Sequence, residues 1–274
     1  MQGASRSSLA SLRDVLVDRA READATALGR LSESLFAVVS LFATQSSLRR
    51  TLSDPAVEAD AKVRVVDSLF ANRVDATALD LLRALASLRW SEPRDVVDAT
   101  EELAVEAALQ QAEVEGKLDD VEDELFRFGR IVDREPRLRA TLTDRNLPSD
   151  VRGRLLHTLI DGKVATVSAA LIERAVLSPR GRTIERVLEE YMTLAAKRRE
   201  RLIAFVTSAV DLSEQQQTQL AEALKREFGH EVRLQVVVDP ALIGGMTVRV
   251  GDELIDGSVA RHLDAARRQL AGGR

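Results

Sequence analysis

Leu48-Arg49-Arg50-Thr51-Leu52-Ser53-Asp54 returns 90 residues later as Leu138-Arg139-Ala140-Thr141-Leu142-Thr143-Asp144. At the same offset Leu28, Leu35, Phe36, Asp60, Arg64, Leu69 and Val74 fall on Leu118, Leu125, Phe126, Asp150, Arg154, Leu159 and Val164. Further on, Val96, Glu101 and Glu102 meet Ile184, Glu189 and Glu190 once the offset shortens to 88. Alanine- and leucine-rich helices can self-align by chance, but a register kept over so many positions points to a duplicated unit.

The duplicated unit is helical. Ile184, Val187, Leu188, Tyr191 and Leu194 recur at spacings of three and four, which places one apolar stripe on one helix face. The same test predicts helices around Val63 to Phe70, Leu79 to Leu88, Val151 to Ile160 and Val167 to Leu177. Asp54-Pro55, Glu92-Pro93, Leu147-Pro148 and Ser178-Pro179 separate them, because proline disfavours the α conformation in the residue before it.

After Arg201 the period changes. Leu202 to Ala209 is rich in Ile, Phe, Val and Thr and reads as a strand. Ser213 with Gln216 forms a capping box for a helix carrying Leu220, Leu224 and Phe228 and stopping at Gly229. Val232, Leu234, Val236 and Val238 then alternate with Arg233 and Gln235, Asp239-Pro240 ends that strand, and Met246, Val248 and Val250 alternate with Thr247 and Arg249. Gly251-Asp252 turns the chain into Leu254 and Ile255, and Ser258 is placed to cap a last helix with Val259, Leu263, Ala266 and Leu270. The fold class is therefore mainly α: tandem helical bundles followed by a small α+β C-terminal module. The expected divisions are 1–91, then 92–200 with its first helix shared, then 201–274.

Composition narrows the chemistry. Of 274 residues, 45% are hydrophobic and 30% charged, the balance of a packed globular chain. A net charge of −5 supplies no basic field for neutralising phosphates, so nucleic acid is not an expected partner. There is no cysteine, which removes disulfides, thiolate metal sites and cysteine nucleophiles. The longest apolar stretch, around Leu35 to Ala43, falls short of the roughly 20 residues of a span. Membrane association is accordingly expected through partners, without direct insertion.

No catalytic, cofactor or metal site emerges. His157, His230 and His262 stand apart, without metal-ligand spacing, and read as surface or helix-end residues. Gly244-Gly245 precedes a strand, whereas a phosphate cradle opens a helix, so the pair reads as backbone geometry, either a positive φ or a close approach. Asp119, Asp120, Glu122, Asp123 and Glu124 read as a solvated face. Lys197-Arg198-Arg199-Glu200-Arg201 lacks interleaved aromatics for base stacking and reads as a helix C-terminus or a partner contact. Taken alone, these residues describe a helical adaptor, with a regulatory or RNA-associated role as the alternative.

Val238-Asp239-Pro240-Ala241-Leu242-Ile243-Gly244-Gly245-Met246-Thr247-Val248-Arg249-Val250-Gly251-Asp252, continuing to Ile255-Asp256-Gly257-Ser258, resembles the signature of the ATP synthase delta subunit family. Its elements are Asp239, Gly244, Gly245, Gly251, Asp256, Gly257 and Ser258. Gly116-Lys117-Leu118-Asp119-Asp120-Val121-Glu122-Asp123-Glu124-Leu125 is similar to that family's N-terminal domain, so the resemblance runs from about Glu92 to the end. It implies a non-catalytic, cofactor-free adaptor on the cytoplasmic face of the bacterial plasma membrane. A helical bundle would grip N-terminal helices of the alpha subunits, and a C-terminal module would hold the membrane-anchored b stalk. The extra copy, Met1 to about Arg89, departs from the family pattern. The second bundle is expected to dock the head, with Val105, Ala108, Ala112, Leu171, Ile172 and Ala175 serving either a helix-accepting groove or core packing.

Overall fold

The computed structural model describes residues 1, 3–144, 146–201, 203–228, 232–239, 242, 245–250 and 253–256. Among these, eleven helices come first: α1 (Ala4–Ala20), α2 (Ala25–Thr44), α3 (Ser46–Ser53), α4 (Ala59–Phe70), α5 (Ala76–Ser87), α6 (Pro93–Val114), α7 (Leu118–Arg134), α8 (Pro136–Thr143), α9 (Ser149–Ile160), α10 (Thr166–Leu177) and α11 (Ile184–Arg201). They are followed by β1 (Ile203–Ser208), α12 (Glu214–Phe228), β2 (Arg233–Val238), β3 (Met246–Val250) and β4 (Glu253–Asp256). The chain forms two compact units, Met1–Ala195 and Ala196–Arg274.

Duplication is visible in the element bounds of the first unit. α3 and α8, α4 and α9, and α5 and α10 begin and end at positions 90 apart. The core stripe is copied with them: Leu28, Leu31, Leu35, Val38 and Phe42 on α2, and Leu118, Val121, Leu125, Phe128 and Val132 on α7, are all buried. That spacing keeps one helix face on the interior in both copies.

Local signals set several helix ends. Asp24 and Asp75 are N-caps whose carboxylates accept from Ala27 N and Ala78 N at 2.7 and 2.9 Å. Pro93 opens α6 at a position where its missing N–H costs nothing. Gly116 ends α6 with φ +68, and Lys117 N and Gly116 N bond Ala112 O and Glu113 O at 2.7 and 2.9 Å, the paired closure of a left-handed cap.

α6 is the axis of the unit. It packs on α1, α2 and α3 on one side and on α7 and α10 on the other. From Asp95 to Ala112 no residue of α6 is exposed. Such all-round burial is what a helix shared by two bundles requires. The approach of α2 is close: Ser32 Oγ donates to Ala104 O at 2.9 Å, and a Cβ on Gly29 would come within 3.0 Å of Gln111 Oε1.

α2 also corrects the sequence reading of apolar length. At 20 residues, with mean hydropathy 1.3 over its window, it is long and apolar enough to cross a membrane. Reading only the unbroken run missed this, because small residues such as Gly29, Ser32 and Ser40 interrupt the run without lowering the average much. Its apolar residues are taken up by the core, where Leu28, Leu31, Leu35, Phe36, Val38, Val39 and Phe42 are buried.

In the second unit β1 pairs in parallel with β2 and antiparallel with β3, and β3 pairs antiparallel with β4, giving the order β2-β1-β3-β4. The parallel pair is joined through α12, as a crossover demands. Ala204, Val206, Val248 and Val250 form the buried face with Leu212, Leu224 and Val232. The capping box is present: Ser213 N donates to Gln216 Oε1 at 2.9 Å, and Gln216 N donates to Ser213 Oγ at 3.3 Å. The expected last helix, from Ser258 through Leu270, lies outside the described residues.

Candidate functional site

Glu101 sits in the middle of α6, buried at 6% exposure, and is the hub of an ionic cluster. Arg180 bonds its carboxylate and also Asp98 Oδ1 at 2.8 Å. Arg182 Nη2 reaches both Glu101 oxygens at 2.7 and 2.8 Å and pairs with Glu190 through its other amino group. Tyr191 Oη donates to Glu101 Oε1 at 3.0 Å. One carboxylate thus ties the loop after α10 and the closing helix α11 to the shared helix.

The backbone is bent to make this possible. Arg180 has φ +53 and Gly181 φ +82, two successive left-handed residues that aim the arginines at α6. Burial, and then the adjacent Glu101 charge, push the Tyr191 phenol well above its ordinary value. Burial opposes the Arg182 charge, but hydrogen bonding and attraction from Glu101 outweigh it and hold its pKa above the usual value. Sequence reading missed this cluster, because Tyr191 fits the apolar stripe of α11 by spacing alone. The available signal was the pair of arginines around Gly181 opposite a helix that also carries glutamates.

The six residues nominated on α6 and α10 are all core. Val105, Ala112, Leu171, Ile172 and Ala175 are fully buried and Ala108 is 4% exposed. None offers a surface, since α6 is enclosed by helices of both copies. Of the two roles open to them, packing is the one they occupy here.

The signature region is described in part. Asp239 N bonds Ser208 O at 2.8 Å, and Asp239 O accepts from Leu242 N at 3.1 Å, which turns the chain out of β2. Gly245 has φ +80, in the left-handed region where a side chain would be strained. Asp256 closes β4, paired with Thr247. The β3–β4 register matches Val250 to Glu253, so two residues separate the paired ends. Gly244, Gly251, Gly257 and Ser258 lie outside the described residues, as do His230 and His262. His157, exposed near the end of α9, stands 3.9 Å from Glu173. Among the described residues no cluster of side chains suits a metal ion.

Glu124 departs from the solvated-face reading of its acidic run. Its Oε2 accepts from Ala165 N, the N-cap of α10, at 2.9 Å. In the first copy the equivalent position is Asp75, which caps α5 with its own side chain.

Comparison with known proteins agrees with this architecture. The model of the ATP synthase delta (OSCP) subunit family matches the chain twice, over residues 14–108 and 105–270. The ATP synthase subunit delta of Streptomyces avermitilis is 46% identical over 269 residues, covering 98% of each chain. That of Streptomyces griseus is 44% identical, covering 99% of this chain and all of its own, and that of Kineococcus radiotolerans is 45% identical, covering 98% of each. A chain in a Toxoplasma gondii mitochondrial ATP synthase hexamer matches at TM-score 0.30 and 18% identity, over 61% of this chain and 94% of that one, too loosely to carry an argument.

Proposed function

Because the chain belongs to the ATP synthase delta (OSCP) subunit family, a family of structural and not catalytic subunits, we propose that it is the peripheral-stalk adaptor joining the catalytic head to the membrane-anchored stalk. In this role it resists the torque of the rotor. Its partners are the N-terminal helices of the alpha subunits and the b subunit, and it sits on the cytoplasmic face of the plasma membrane. The observation that carries the proposal is the near full-length match to delta subunits, spanning both helical copies and the C-terminal module.

The second bundle is the proposed head contact. The second family match, 105–270, runs through that bundle and the module together, whereas the first covers helices only. The b stalk is assigned to the C-terminal module. The first copy is then a brace, joined to the second through α6, with Glu101 holding α11 on that same helix.

The test is co-purification of the tagged full chain from gently solubilised membranes. Alpha, beta and b subunits should be recovered together with it. Recovery of the chain without them, or with RNA in their place, would overturn the proposal.

A further inference from the structure

The chain passes from the first compact unit to the second inside α11. The boundary follows Ala195, the helix runs on to Arg201, and β1 begins at Ile203. By connectivity, a pull on the second unit enters the first along α11, from the C-terminal end of that helix.

α11 meets such a pull with two kinds of contact. Ile184, Val187, Leu188, Tyr191 and Ala195 are its buried stripe, and apolar contacts of this kind weaken gradually as surfaces part. Its hydrogen bonds to the Glu101 cluster are gathered toward its N-terminal half. Tyr191 Oη donates to Glu101 at 3.0 Å, and Glu190 holds Arg182, whose Nη2 reaches both Glu101 oxygens. Nearer the start, Glu185 pairs with Arg139 of α8 at 3.0 Å. Between Tyr191 and Arg201, among the described side chains, only Ala195 is buried. A hydrogen bond fails within about 1 Å of stretch, and parting a buried carboxylate from its partners is costly, so the cluster yields abruptly where the stripe yields by degrees.

The receiving helix spreads the load. α6, which carries Glu101, packs on helices of both copies. It is also pinned to α1, since Ser5 Oγ donates to Asp95 at 2.7 Å and Arg13 Nε stands 3.2 Å from Glu106. A pull held at Glu101 is therefore shared by the two bundles.

Resting on the peripheral-stalk reading above, we propose that the Glu101 cluster is a mechanical stop. Load from the C-terminal module peels α11 from its C-terminal end and is arrested where Tyr191 and Arg182 meet Glu101, which passes it to α6 and to both copies.

The test is optical-tweezers pulling on the full chain, which has no cysteine of its own, through handles at Glu115→Cys and Glu200→Cys. Release should begin with a short step confined to the residues after Tyr191, pause, and then end in loss of the whole helix. Tyr191→Phe keeps the ring and removes the hydroxyl, and should shorten the pause roughly tenfold, the worth of one hydrogen bond to a charged group. Glu101→Gln should shorten it as well. Leu142→Ala, which removes buried apolar contact from α8 and leaves the cluster's hydrogen bonds in place, should lower the thermal midpoint without moving the pause. Release of α11 in a single step, a pause unaltered in Tyr191→Phe and Glu101→Gln, or a pause that Leu142→Ala abolishes equally, would overturn the stop. Pulling needs no partner, so the two readings fail separately: a tagged chain that recovers no other subunit sinks the peripheral-stalk reading, whereas full recovery with single-step release sinks only the stop.

Discussion

Tyr191 donates a 3.0 Å hydrogen bond to Glu101, which joins the closing helix of the second bundle to the helix that both bundles share. The same carboxylate is gripped by Arg180 and Arg182, so a single buried anion holds two cations and a phenol. Removing it would leave each enclosed guanidinium with a single carboxylate, Asp98 for Arg180 and Glu190 for Arg182. Glu101→Ala is expected to cost about 3–5 kcal/mol in denaturant unfolding. Glu101→Gln, which keeps the shape and part of the bonding, should cost less. A loss below about 1 kcal/mol for the alanine variant would show that the cluster is not a fastening.

The phenol gives a pH signature. Its pKa is raised in the folded chain, so the native state keeps a proton that the unfolded chain releases near the ordinary value of 10.0. This contribution to stability is complete below pH 10.0 and is lost as the pH climbs toward the folded value. Tyr191 is the only tyrosine, so phenolate absorbance reports on it alone. Native protein should show ionisation delayed beyond that of the denatured chain. Coincident titration curves would contradict the burial.

Glu124 is predicted to be a cap supplied from a distance. Glu124→Ala should destabilise the chain by about 1 kcal/mol. Adding Ala165→Asp to that variant should offset most of the loss through a different donor, because an aspartate there is placed to accept from Ser168 N as Asp75 accepts from Ala78 N, while Glu124 holds Ala165 N. An uncorrected loss in the double variant would assign Glu124 some other role.

Gly245 carries the strain argument in the C-terminal module. With φ +80 it accommodates a turn into β3 that a β-branched residue would resist, at a cost of about 1–3 kcal/mol. Gly245→Val should lower the thermal stability of the module and weaken its recovery with the b subunit. An unchanged melt and unchanged recovery would remove both the backbone argument and its link to the stalk.

The sequence by itself determined the architecture. The 90-residue echo, the proline breaks and the change of period after Arg201 are local or translational signals, and the helices and strands follow them closely. Ser213 and Gln216 encode their capping box three residues apart, where the bonding partners must meet. What tertiary structure alone decided is which face of each helix is free. α6 carries alanines and valines that suit a groove or a core equally, and only the convergence of helices from both copies buries Val105, Ala108 and Ala112. Phe36 and Phe126 match in sequence and differ tenfold in exposure, because burial depends on which neighbour the chain brings back. Ala165 shows no capping signal, and Glu124 supplies one from 41 residues away. Spacing along a chain fixes periodicity and caps within a few residues, but pairings across tens of residues depend on how whole helices pack, and neither partner announces the other.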